Sequence, residues 1–259
     1  MVSCVRLANF PSSATAILIG MFSAGQLKAV QSQAAGYEVS AVSNGAALIG
    51  SVTFTGDVPE ASELLITRDF EVCGLGFRER REVDVDEAGG LRSVVVFIAD
   101  IAAGKAWPEA PDGYLLDQRD CFFEPYMQVV PRGVDLQIEN SDPVLHNVHG
   151  YERIDPSRRR TLFNLGQPDK GIIVRPLRPR RGQQIGLECD AHDFMLGWIF
   201  AADNPYAAVV DSTGRFAITD IPPGTYTVGV WHPFLGVVEQ EVTVTSGTAN
   251  EISFEFSAD

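Results

Sequence analysis

Apolar and polar residues alternate with a period of two along many short segments, the pattern of β-strands that bury one face. Val134, Leu136 and Ile138 alternate with acidic and amide side chains and are predicted to face a core. Residues 46–56 read as a strand ending at a turn, and 91–101 contain an apolar run expected in a sandwich interior. Because helical periodicity is scarce, the sequence predicts an all-β fold.

A second group of short strands follows residue 205. It contains turns at Asp211–Gly214 and Pro222–Gly224, followed by two alternating segments that close the unit. This stretch resembles the carboxypeptidase regulatory-like module, a small β-sandwich, and the resemblance implies a structural or adhesive role without catalytic residues. We therefore expect a main domain at residues 35–205 and an additional β-sandwich module at 206–259.

The N-terminus has the pattern of an export signal. Arg6 gives a weakly positive start, residues 14–22 are apolar, and small residues follow, with Ala29 or Ala34 as the last residue before cleavage. The apolar run is too short to span a bilayer. We expect residues 1–34 to be a signal peptide and the mature protein to be periplasmic or secreted, without a membrane span.

The chain is strongly acidic, with 34 Asp and Glu against 20 Lys and Arg and a formal net charge of -14. Loss of residues 1–34 would remove two basic residues and no acid, which makes the net charge -16. Such a charge argues against nucleic acid as a partner and favours a partner with a cationic face. Solubility alone is an equally good reason for the acidity.

Two separate segments contain residues suited to a redox-active metal. His146 lies in the first, and Cys189, His192 and Met195 follow at three-residue intervals in the second. This spacing allows one tight turn to present sulfur, nitrogen and sulfur to a single ion. Soft sulfur suits Cu(I) and imidazole suits Cu(II), whereas methionine is an unusual zinc ligand. We expect one copper ion here; the alternatives are coincidence and another soft metal.

These motifs resemble the cupredoxins, the type 1 blue copper proteins, and the short ligand loop is most similar to that of the amicyanins. The resemblance covers residues 129–202 and implies a Greek-key β-sandwich in which His146, Cys189 and His192 form a trigonal plane. It also implies that Met195 is the long axial ligand. By the same resemblance, Asn147 helps to tie the two ligand loops together near the Cys189 sulfur.

The resemblance to amicyanin further implies that the His192 ring is exposed and is the surface where electrons cross. Phe194 and Trp198 would form an apolar collar around it, although either side chain also suits a core. His149 lies three residues after His146, so on a strand it points to the opposite face and is expected to pack near the site without binding the ion. His232 stands beside a proline in a turn and is expected to be exposed.

Cys73 and Cys121 remain after Cys4 is assigned to the signal peptide and Cys189 to the metal. In an oxidising compartment we expect a Cys73–Cys121 disulfide that joins the N-terminal strands to the metal domain.

Arginines cluster between the two metal-binding segments. They form either a docking face for an acidic redox partner or a solvated surface paired with the protein's own acids, and we favour the second interpretation. The residues are Arg153, Arg158, Arg159, Arg160, Arg175, Arg178, Arg180 and Arg181.

The sequence therefore predicts an exported copper protein that carries single electrons and is not an enzyme. A c-type cytochrome or a periplasmic dehydrogenase is the expected partner class. The first alternative is a protein that stores or delivers copper without electron transfer. The second is a copper enzyme, which needs an additional copper and more histidines, and only His149 and His232 are left over.

Overall fold

A computed structural model describes residues 36–155 and 157–258, so the predicted signal peptide lies outside the described residues. Strands dominate this part of the chain, and no helix in it is long and apolar enough to cross a membrane. The elements are β1 (Glu38–Val39), β2 (Ala46–Thr55), β3 (Ser62–Leu65), α1 (Phe70–Cys73), β4 (Phe77–Arg80), β5 (Val95–Ile98), β6 (Ala103–Gly104), β7 (Tyr114–Arg119), β8 (Phe122–Glu124), β9 (Met127–Pro131), β10 (Asp135–Asn140), β11 (His146–Asp155), β12 (Arg158–Gln167), β13 (Gly171–Pro176), β14 (Gln184–Cys189), β15 (Leu196–Ala202), β16 (Ala207–Val209), β17 (Arg215–Ile221), β18 (Gly224–His232), β19 (Gly236–Val244) and β20 (Ala249–Ser257).

The first sandwich contains the predicted metal-binding segments. One sheet has the order β13-β10-β7-β8 and the other the order β12-β11-β14-β15-β9. Leu136 and Ile138 of β10 are fully buried between the sheets, as their alternation predicts. The turn after β9 carries the chain from one sheet to the other, because β9 pairs with β15 while β10 pairs with β7. The all-β prediction is confirmed.

The second sandwich consists of the sheets β16-β5-β18-β19 and β17-β2-β20. Strands β2 and β5 come from the N-terminal part of the chain, so the expected boundary at residue 205 is wrong for them. The physical reason is core packing: Leu48 and Val52 of β2 are buried against Phe216 and Phe254. Burying that apolar face requires strands from both ends of the chain.

An aromatic cluster lies between the two sandwiches. Trp198 and Phe200 of β15 meet Phe97 and Trp231 of the second sandwich. The Phe97 and Phe200 ring centroids are 4.7 Å apart, and Trp198 meets Trp231 edge-on at 6.0 Å. Trp198 thus packs in the interface between the sandwiches.

A small hairpin lies over one end of the first sandwich. Strands β3 and β4 pair antiparallel and enclose α1, a single helical turn. We call residues 62–80 the cover. Ile66 and Cys73 insert into the core of the first sandwich, and a disulfide joins Cys73 to Cys121, as the sequence predicts. The cover is therefore covalently attached next to the predicted metal site.

Candidate metal centre

Three ligand atoms converge at one end of the first sandwich. His146 begins β11 and Cys189 ends β14, and these strands are antiparallel neighbours. The Cys189 Sγ lies 3.9 Å from Nδ1 of His146 and 3.7 Å from Nδ1 of His192, and the two Nδ1 atoms are 3.2 Å apart. Hydrogen bonding within the turn positions His192, whose N–H donates to the Cys189 carbonyl over 3.2 Å.

These separations fit a single transition-metal ion. An ion bonded to two imidazole nitrogens and one thiolate at about 2.0–2.3 Å lies between atoms spaced in this way. Met195 closes the same turn, because its N–H donates to the His192 carbonyl over 2.9 Å, and its side chain is buried. Two imidazoles, one thiolate and one thioether are the donor set of a blue copper site.

Part of the chain is similar to solved structures of cupredoxins. Amicyanin from Paracoccus versutus is 12% identical, covering 41% of this chain and 97% of that one with a TM-score of 0.30. A purple cupredoxin from Nitrosopumilus maritimus is 17% identical, covering 34% and 99% with a TM-score of 0.29. No curated protein matches the sequence. The strand arrangement of the first sandwich and the convergence of His146, Cys189 and His192 identify its fold.

The first sandwich is a cupredoxin-like domain. The second sandwich overlaps a different match, since residues 192–252 fit the family model described as polysaccharide lyase family 4, domain II. That match begins at His192 and so includes β15 of the cupredoxin-like domain as well as β16 to β19. The sequence motifs of this stretch resemble a carboxypeptidase regulatory-like module. The family model that matches it describes a different module, the lyase-family domain.

The Cys189 sulfur is buried and accepts a backbone hydrogen bond from the other ligand loop. Its side chain is 2% exposed, and the backbone N–H of Asn147 donates to Sγ over 3.3 Å. Burial raises the pKa of the Cys189 thiol, and the Asn147 N–H opposes that rise. The Asn147 side chain turns away and donates to Asn164 over 2.7 Å. The link between the ligand loops is thus made by the Asn147 backbone at the sulfur.

In both His146 and His192, the ring nitrogen that points away from the ligand cluster lies next to a carboxylate. Nε2 of His146 lies 2.8 Å from Oδ2 of Asp142, and Nε2 of His192 lies 2.8 Å from Oδ2 of Asp69. Burial alone would raise the pKa of Asp142, but hydrogen bonds from the Cys121 N–H, His146 and the Asp120 N–H hold it below its usual value. Burial lowers the pKa of His192, which favours the neutral imidazole that binds a metal.

The expectation that His192 is exposed is wrong. Its ring is 1% exposed, because the cover lies over it and Asp69 occupies the position where water would meet Nε2. Phe194 packs next to the ring with centroids 5.5 Å apart, but it too is buried. Trp198 belongs to the cluster between the sandwiches rather than to a collar around His192. The electron-transfer surface expected at His192 and Phe194 is therefore covered.

The other two histidines lie outside the ligand cluster. His149 contacts Asp190 through Nδ1 and Thr161 through Nε2, each at 3.0 Å. His232 was expected to be exposed, but it is 1% exposed, and its Nδ1 accepts the N–H groups of Phe234 and Leu235. Burial lowers the pKa of His232 to about 4. His232 thus fixes a turn in the second sandwich.

The arginine clusters divide into two groups. Arg158, Arg159 and Arg160 pair with Asp155, Glu188 and Glu152, respectively. Arg153 instead donates to the Pro233 carbonyl over 3.0 Å. For the first three, the self-paired surface is confirmed.

Arg175, Arg178 and Arg180 behave differently. These three exposed arginines line one cleft of about 270 Å³ together with Arg160. Within residues 36–155 and 157–258, the three form no ion pair with an acid. We call Arg175, Arg178 and Arg180 the basic patch.

Sequence reasoning missed Asp69, Asp142 and Arg78. Asp142 precedes His146 by four residues, a spacing that a search for carboxylates near ligand histidines would find. Asp69 is 123 residues from His192, so no local pattern marks it. Arg78 holds the cover in place by donating to the carbonyls of Cys121 and Cys73 over 2.5 and 2.9 Å.

Proposed function

We propose that this protein is a type 1 copper protein that carries single electrons between redox partners. The observation that carries the proposal is the convergence of His146, Cys189 and His192 on one buried point, with Met195 in the same turn. Copper bound there would supply a one-electron couple between Cu(II) and Cu(I). The chain's own contribution is a ligand set suited to both oxidation states.

The surroundings of the ligands support fast electron transfer. The side chains of His146, Cys189 and His192 are buried, and each makes at least one hydrogen bond outside the ligand cluster. Side chains fixed in this way change position little when the charge of the bound ion changes. Because little rearrangement is needed, the activation barrier to electron transfer is low.

A copper storage or delivery role is the alternative. Handing over an ion requires an acceptor to reach the ligands, but Cys189 and His192 are 2% and 1% exposed. This burial favours the electron carrier. A catalytic copper enzyme is disfavoured because the chain has four histidines and the two outside the site, His149 and His232, are engaged elsewhere.

Electrochemistry combined with a chelator challenge separates carrier from delivery protein. The copper-loaded protein is cycled between Cu(II) and Cu(I) in the presence of a strong Cu(I) chelator. An electron carrier shows a reversible one-electron wave and keeps its copper. Loss of copper to the chelator in the first cycles would support delivery and contradict the proposal.

We further propose that the protein is exported to an oxidising compartment, the bacterial periplasm or the exterior. The Cys73–Cys121 disulfide supports this location, since such bonds persist mainly outside the reducing cytoplasm. Fractionation of producing cells tests it: the mature chain is expected in the periplasmic or secreted fraction without its N-terminal segment. Recovery of the uncleaved chain from the cytosol would contradict it.

The proposed partner is a redox protein with an acidic face, such as a c-type cytochrome or a periplasmic dehydrogenase. The basic patch supports this idea, because it offers positive charge on a protein whose net charge is -14. Thr161 lines the same cleft and bonds to His149, which bonds to Asp190, the residue after Cys189. Two hydrogen bonds thus connect a residue of the cleft to Asp190, the sequence neighbour of Cys189, while His192 is covered.

A further inference from the structure

Each ligand histidine makes a hydrogen bond to a carboxylate on the side away from the ligand cluster. Asp142 meets Nε2 of His146 and Asp69 meets Nε2 of His192, both at 2.8 Å. Both rings therefore have the same orientation, with Nδ1 toward the cluster and Nε2 on a carboxylate oxygen. An imidazole whose Nε2–H is held by a carboxylate is a fixed tautomer and a more basic ligand.

Asp142 is rigidly held in the loop before β11. Its two carboxylate oxygens accept the backbone N–H groups of Asp120 and Cys121, each over 2.9 Å. Its own N–H donates to the Asn140 side chain over 3.0 Å. The carboxylate has little freedom to turn away from His146.

Asp69 comes from the cover, far from His192 in sequence. Its carbonyl accepts the N–H groups of Val72 and Cys73 over 3.0 and 2.8 Å, so the carboxylate sits at the start of the turn that carries Cys73. Cys73 is bonded to Cys121, whose N–H holds Asp142. One disulfide therefore connects the two backbone segments that position the two carboxylates.

We propose that Asp69 and Asp142 are positioning residues of the metal centre that stabilise Cu(II) relative to Cu(I). The inference rests on the proposed function. Two buried or half-buried negative charges next to the ligand imidazoles favour the ion of higher charge, and more basic imidazoles do the same. The couple is Cu(II) plus one electron giving Cu(I), and both Nε2 protons stay in place. The reduction potential is therefore lower than the four ligands alone would set.

Two variants separate the effect of the Asp69 charge from its effect on the orientation of the His192 ring. Asp69→Asn keeps an oxygen that accepts the Nε2–H and removes the charge, while Asp69→Ala removes both. Asp193→Asn is the matched control, because Asp193 is exposed, adjacent to His192 in sequence and outside the hydrogen bonds to the imidazoles. Asp142→Asn is a second test, although its oxygens also accept two backbone N–H groups, so an intact fold must first be shown by circular dichroism.

The experiment is a spectroelectrochemical titration of each copper-loaded variant. For Asp69→Asn we expect the Cu(II)/Cu(I) ratio at a fixed potential to fall about tenfold, a rise of about 59 mV for a one-electron couple. Asp193→Asn should change the ratio by much less. Proton NMR of the diamagnetic Cu(I) protein adds an independent readout: the His192 Nε2–H signal, protected in the parent and in Asp69→Asn, should exchange with water in Asp69→Ala.

The outcomes separate this inference from the proposed function. A parent protein that forms no copper–thiolate charge-transfer band overturns both. A parent with that band, together with an Asp69→Asn potential no higher than that of Asp193→Asn, overturns the role of Asp69 alone. An Nε2–H signal that stays protected in Asp69→Ala would also overturn it, because the carboxylate would then not be holding the ring.

Discussion

Cys73 and Cys121 form a disulfide whose sulfurs each lie within 4.8 Å of a ring nitrogen of His192. The bond attaches the cover to the cupredoxin-like domain directly over His192, the ring that the resemblance to amicyanin placed at the surface. The disulfide therefore helps to hold the cover over the buried His192 ring.

Removing this disulfide should destabilise the protein and open the cover. A bond that closes a loop of 48 residues contributes about 4 kcal/mol to the free energy of unfolding in the chain-entropy model. We expect the Cys73→Ser/Cys121→Ser variant to lose that amount in urea unfolding and to show faster amide hydrogen exchange in residues 66–78. A loss below about 1 kcal/mol with unchanged exchange would mean that the noncovalent contacts of Arg78 hold the cover by themselves.

Glu152 should make the stability sensitive to acid. Burial would raise its pKa, but hydrogen bonds from Arg160 and from the Gly182 and Arg181 N–H groups lower it to about 2. A depressed carboxyl pKa stabilises the fold above the unfolded value of 4.5, and this stability is lost as the pH falls from 4.5 to 2. Glu152→Gln should weaken that dependence.

At neutral pH, Glu152→Gln should cost about 3 kcal/mol, because it leaves buried donors facing an uncharged group. Glu188→Gln is the control, since Glu188 pairs with Arg159 at the surface and should cost less than about 1 kcal/mol. Equal losses in the two variants, measured by urea unfolding at several pH values, would contradict the buried role of Glu152.

His232 should make the free energy of unfolding depend on pH in a higher range than Glu152 does. Burial lowers its pKa from 6.5 to about 4, so the folded state holds the ring neutral while the unfolded chain protonates it. Stability from this residue is therefore complete above pH 6.5 and is lost as the pH falls toward 4, by about 3 kcal/mol. His232→Asn keeps an acceptor for the turn and should remove this part of the pH dependence; identical pH profiles would refute the prediction.

The basic patch should attract anionic redox partners despite the net negative charge. Hexacyanoferrate(III) is a suitable probe because it is a small anionic oxidant of Cu(I). Its reaction with the parent should slow as salt is added, and replacing Arg175, Arg178 and Arg180 by Glu should slow it about tenfold at low salt. Among single variants, Arg178→Glu should slow the reaction more than Arg215→Glu, the control with the same charge change at an exposed position on the second sandwich.

If net charge alone governed the encounter, the rate with this anion would rise with salt and both single variants would behave alike. That result would contradict the proposal that the basic patch attracts an acidic redox partner.

The sequence predicted the parts of the fold that depend on local alternation and on rare residue types. The strand containing Leu136 and Ile138 and the disulfide between Cys73 and Cys121 follow from periodicity and from cysteine count. The covering of His192 could not be predicted, because Asp69 reaches it from 123 residues away through tertiary packing. The placement of β2 in the second sandwich escaped prediction for the same reason, since it depends on pairing with strands at the far end of the chain.

The most direct test of the account is the visible absorption of the protein after addition of Cu(II). The intense band of a thiolate-to-Cu(II) charge transfer should appear at one copper per chain. Cys189→Ser should abolish it, and the Cys73→Ser/Cys121→Ser control should keep it. A parent protein without such a band, or a band that survives Cys189→Ser, would contradict a copper site built on His146, Cys189 and His192.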